Sequence, residues 1–171
     1  MIDLSNYPSP VCVAFSEAES TENIQLRFRA TLNAFAATLK YCALITINNY
    51  LEVRKQGLFQ SDEIDRHFVE MIGRPSMGHW NHLMRLILKE MGSKCRDLLF
   101  MPELFAFYFR INKAGNLKAQ KEVFLMDHLI LLRNQFVHSD IYPHADEAVR
   151  LADESRKILI QVLSSLSFLT K

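Results

Sequence analysis

Apolar residues recur three and four positions apart through most of the chain, and no run longer than a few residues alternates apolar and polar at period two. A period near 3.6 buries one face of a helix, so the pattern predicts an all-α protein, a single helical bundle with long antiparallel helices. Thr21 serves as N-cap for the first long helix, in which Ile24, Leu26, Phe28, Leu32, Phe35, Leu39, Cys42, Ala43 and Ile47 carry the period to about Val53. Gly57 ends it. Ser61-Asp62-Glu63 supplies a cap and early acidic residues for a second helix through about Ile72, and Gly73-Arg74-Pro75 breaks that one. Ser76 caps a third, whose stripe of Met77, Trp80, Leu83, Met84, Ile87, Leu88 and Met91 stops at Gly92. Pro102 and the aromatic-rich stretch 98–109 predict one or two short helices.

The turn-forming segment from Ile111 to Asn116 reads as a loop. Leu117 to His138 then reads as a helix with Val123, Phe124, Leu125, Leu129, Leu132 and Phe136 inside, ended by Ser139-Asp140-Ile141-Tyr142-Pro143. A last helix runs from about His144 to Leu169, with Asp146 and Glu147 set against its N-terminal dipole. The short connection makes these two helices antiparallel neighbours. Residues 1–20, with Pro8-Ser9-Pro10 and little periodicity, predict an extended N-terminal arm. With no internal repeat, low-complexity stretch or linker, residues 1–171 read as one domain.

Composition changes this picture little. The chain has 171 residues, 49% of them hydrophobic, which suffices for a sizeable core. A formal charge of +1 gives no global pull on a polyanion, so nucleic acid would have to meet a local patch. Cys12, Cys42 and Cys95 are odd in number and far apart, which excludes a disulfide framework or zinc ribbon and points to a reducing, cytoplasmic setting. The opening residues lack a basic region before an apolar one, and the apolar segment Phe35 to Tyr50 is interrupted by Lys40 and two asparagines, so neither a signal peptide nor a membrane span is expected.

The chemistry concentrates in Arg133-Asn134-Gln135-Phe136-Val137-His138. Arg carries a permanent, planar charge suited to phosphate, and His moves a proton near neutral pH. Together they can perform acid-base chemistry on a phosphodiester without a metal or other cofactor. A structural reading stands beside this one: Arg133 as a surface ion-pair residue, with Asp127 or Asp140, and His138 as a helix cap. Residues five apart on a helix diverge by about 140 degrees, so the pair can share a site only if the helix loosens near Val137, the long Arg side chain wraps, or a second copy contributes.

The spacing of Arg133 and His138, with polar Asn134 after the Arg, resembles the R-x4-H signature of the HEPN superfamily. That resemblance implies a homodimer whose motif helices face each other over a composite cleft, and metal-independent cleavage of RNA. His138 would take or return a proton, Arg133 would hold the scissile phosphate, and Asn134 would orient either group. It further implies a toxin or antiviral defence effector, with an antitoxin as partner. Among HEPN relatives are also noncatalytic dimerisation or sensing modules and accessory subunits of nucleotidyltransferases.

Between Arg85 and Lys121 lie eight basic and three acidic residues. Arg110, Lys113, Lys118 and Lys121 are the candidate RNA-binding cations, with Phe105, Phe107, Tyr108 and Phe109 interleaved where they could stack bases. The alternative is a solvated charged face over buried aromatics. His79 and His82 have the spacing to face one metal, but no third ligand is near and structural roles are expected. Gly73 to Trp80 lacks the Lys-Ser/Thr ending of a phosphate loop and reads as an entry turn.

Overall fold

The computed structural model describes residues 6–73, 75–137 and 143–170. Among them are α1 (Ser9–Ser20), α2 (Ile24–Lys55), α3 (Asp62–Gly73), α4 (Met77–Lys94), a 3-10 turn (Arg96–Leu98), α5 (Pro102–Tyr108), strands β1 (Phe109–Ile111) and β2 (Leu117–Ala119), α6 (Lys121–Val137), α7 (Ala145–Ser165) and a closing 3-10 turn (Ser167–Thr170). The fold is all-α, as its apolar period requires. Two compact units divide it, one from Met1–Thr38 with Lys121–Lys171, the other from Leu39–Gln120, and α2 contributes to both.

In the first unit, α6 packs on α7. His128 lies opposite Glu154, and the two are equally far in sequence from the middle of the connection, which is the register of an antiparallel pair. The predicted stop at 139–142 lies outside the described residues. The expected extended arm is instead helix α1 from Ser9: its prolines fall at the N-cap and in the first turn, where a missing N–H costs nothing, and Val11, Phe15 and Ala18 form its buried face. Tyr7 anchors the segment by donating to the Leu163 carbonyl at 2.7 Å. Thr21 does not cap α2. Its hydroxyl donates to the Glu17 carbonyl and closes α1, while Asn23 Oδ1 accepts from the N–H groups of Gln25 and Leu26. The last helix is shorter than expected, because the chain tightens into the 3-10 turn at Ser167.

In the second unit, α3 packs on α4 and α4 on α5. The end of α2 is a Schellman motif: Gly57, at φ +70, lets its own N–H reach the Arg54 carbonyl at 2.9 Å and the Leu58 N–H reach that of Val53 at 3.1 Å. Ser76 caps α4 as predicted, accepting from the His79 N–H at 3.2 Å. Gly92 does not end that helix, which continues to Lys94.

Two short strands correct the expectation that none are needed and shorten the helix predicted from Leu117. Asn112 makes the turn: its Oδ1 accepts from the N–H groups of Ala114 and Asn116, and Gly115 at φ +79 completes the reversal. This pairs Arg110 with Lys118 and Ile111 with Leu117. A three-residue ladder has no room to display alternation in sequence.

α2 is long and apolar enough to cross a membrane by length and composition. Its most apolar stretch is 61% buried inside the protein, the condition of a core helix.

Candidate functional site

α6 carries the Arg-Asn pair in its C-terminal half. Arg133 follows buried Leu129 and Ile130 by four and three residues, so it lies on the inward flank and is itself half-buried. Burial pulls its pKa below the ordinary arginine value, although a guanidinium stays charged in proteins. Asn134, one step of about 100 degrees further round, is exposed. Phe136 is half-buried and packs edge-on to Phe28 of α2 with ring centroids 5.5 Å apart, which fixes the rotation of this end of α6 within its unit. His138 and Asp140 lie outside the described residues.

The outward face of α6 exposes two large apolar side chains. Phe124, expected inside, is 68% exposed, and Leu131 is 67% exposed. They are seven residues apart, and His128 between them shares the stripe. The expectation failed because α6 has apolar residues all round, so periodicity could not tell which row faces the core.

Beside that stripe is a cluster that the sequence reading missed. His128 Nε2 stands 3.2 Å from Glu154 Oε1, and Arg150 donates to the other carboxylate oxygen of Glu154 at 2.9 Å. The carboxylate fixes the orientation of the imidazole it faces. All three side chains are part-exposed, although His128 Nε2 itself is buried. The Arg150–Glu154 spacing of four was legible, but the pairing with His128 needed the α6–α7 register.

The candidate RNA-binding cations Arg110, Lys113 and Lys118 are exposed on the β1–β2 hairpin, and Lys121 is exposed at the first position of α6. Arg110 and Lys118 stand directly opposite each other across the ladder. From Phe109 to Lys121 the chain has no acidic residue. The proposed base-stacking role of Phe105, Phe107, Tyr108 and Phe109 is corrected: all four are buried, because α5 and the first residue of β1 turn them onto the core, where Arg96 lies over the Phe105 ring at 4.9 Å. Single-strand recognition by these rings would require unfolding.

Other chemistry is weakly represented. His82 meets the ring of His67 edge-on at 4.7 Å, and burial with the neighbouring His67 holds its pKa below the ordinary value. Among the described residues no three His, Cys, Asp or Glu side chains gather as metal ligands. Cys12, Cys42 and Cys95 form no disulfide, and burial pushes the Cys42 thiol up to about 12, far from a nucleophilic thiolate. No family model, curated protein or solved structure matches the chain.

Proposed function

We propose that the protein is a HEPN-like, metal-independent endoribonuclease that works as a homodimer, with Arg133, Asn134 and His138 as its catalytic set. The observation that carries this reading is the half-buried guanidinium of Arg133 on a helix that also exposes Phe124 and Leu131. A partly desolvated guanidinium attracts phosphate more strongly than one in open water, because less solvent screens it. The exposed Phe124 and Leu131 suit pairing of α6 with α6 of a second copy, which would bring the two motifs together.

In the reaction the ribose 2′-oxygen forms a bond to the adjacent phosphorus and the bond from phosphorus to the 5′-oxygen breaks, leaving a cyclic phosphate. His138 takes the proton of the 2′-hydroxyl and returns one to the leaving 5′-oxygen. Arg133 holds the phosphate oxygens as their charge grows. The hairpin cations would gather the RNA backbone through charge alone. Such an activity suits a toxin or antiviral defence effector, and an antitoxin would be its natural partner. The runner-up reading is a noncatalytic dimerisation or sensing module or a nucleotidyltransferase accessory subunit, and the same apolar stripe on α6 favours it.

Incubation of purified protein with mixed RNA in excess chelator separates the two. Cleavage with cyclic phosphate ends is expected, reduced about a hundredfold or more in His138→Ala and Arg133→Ala at equal helicity, together with loss of growth inhibition. Cleavage unchanged in both variants overturns the assignment of the site. No cleavage by a stable dimer leaves the module reading.

A further inference from the structure

Lys40, Leu44, Asn48 and Glu52 follow one another at four-residue intervals along α2, all exposed, within the unit that starts at Leu39. They form a single ridge of the kind that packs between helices. Grooves flank it on both sides. One, of about 380 Å³, runs along Ile45 and Asn49 and is walled by Phe100; the other, of about 350 Å³, runs along Ile47 and Leu51 toward Ile72 and Trp80. Leu44 is 54% exposed and Phe100 74% exposed, so the ridge and one wall place sizeable apolar surface in solvent. Phe100 is held there: Asn49 donates to the Leu98 carbonyl at 3.0 Å and accepts from the Phe100 N–H at 2.8 Å.

The charges at the ends of the ridge decide what fits it. Neither Lys40 nor Glu52 has an ion-pair partner among the described residues. Twelve residues, or about 18 Å, keep them from neutralising each other on one helix. Reversed onto itself, however, the ridge is self-complementary: with the midpoint between Leu44 and Asn48 on a twofold axis, each Lys40 meets the other copy's Glu52, and each Leu44 meets an Asn48. We infer that a second copy of this chain docks on this face. The ridges of the two copies lie along each other with the Phe100 walls beside them, and two Lys–Glu pairs set the register. Insertion into lipid is disfavoured by Glu52 and two amides along the same face.

The interface is independent of the nuclease reading, which uses α6. Sedimentation of the full chain without RNA tests it, so an inactive enzyme does not affect the outcome. In a Leu131→Glu background, which removes the proposed α6 contact, the chain should still self-associate at micromolar concentration. Lys40→Glu and Glu52→Lys should each weaken association about tenfold, because each places like charges opposite one another twice. The double exchange K40E/E52K should restore it, and Leu44→Glu should abolish it at unchanged helicity. A monomeric Leu131→Glu protein, further single variants without effect, or a double exchange that fails to recover association overturns the proposal.

Discussion

Gly92 shows how one residue can be misread from its type. In sequence it looks like a helix stop, yet it is buried inside α4, and a Cβ added there would run into the Phe105 ring of α5. The glycine is present for close approach of two helices, and the helix tolerates it because packing outweighs propensity. Gly92→Ala should therefore destabilise the protein by about 1–3 kcal/mol through overpacking, despite the gain of about 1 kcal/mol expected of alanine in an open helix. Denaturant unfolding checks it: a variant more stable than wild type would show that the ring moves freely aside. Thr21 and Asn23 make the same point, since both are competent caps and only the local backbone selected Asn23. For Arg133 the residue type and its apolar neighbours were readable, but its half-burial came from the rotation of α6.

The β1–β2 hairpin shows at the level of elements how function and stability can oppose each other. Like charges directly across a ladder repel, and Arg110 faces Lys118 with no acidic residue in the hairpin. Arg110→Glu should stabilise the hairpin by about 0.2–1 kcal/mol and at the same time weaken RNA binding and its dependence on salt. Thermal unfolding beside binding measured at two ionic strengths checks both halves; unchanged RNA affinity would remove the hairpin from the proposed nucleic-acid surface. The longer elements were legible because amphipathic or capped helices announce themselves: Ser61 and Ser76 stand just before α3 and α4, and Gly57 just after α2. α1 was hidden by its prolines, and the hairpin by its brevity.

At the scale of the whole chain, contacts between residues far apart in sequence hold the N-terminal helix to α7. Arg156 donates two hydrogen bonds of 2.6 Å to the Glu19 carboxylate, a bidentate pair spanning α1 and α7. The Arg156 guanidinium holds the Glu19 carboxyl below the usual carboxylate range. A carboxyl depressed in the folded state adds stability above its unfolded pKa and loses it as pH falls through the folded value. Both side chains are more than a third exposed, so the pair contributes only about 0.2–1 kcal/mol. Glu19→Gln should lower stability by that amount at neutral pH and converge with wild type in acid below the carboxylate range. Melting curves across pH check it, and a constant gap at all pH values would assign the effect to packing.

By itself the sequence determined that this chain is helical, where α3 and α4 begin and where α2 ends, and which residue types stand between Arg133 and His138, because helical period, caps and residue type are local properties. Only the tertiary structure decided which face of α6 is buried, that the α5 aromatics belong to the core, that His128 meets Glu154, and that the ridge of α2 remains open between two grooves. A helix apolar on several sides states how much surface it can bury but not against what. That choice belongs to contacts between residues distant along the chain.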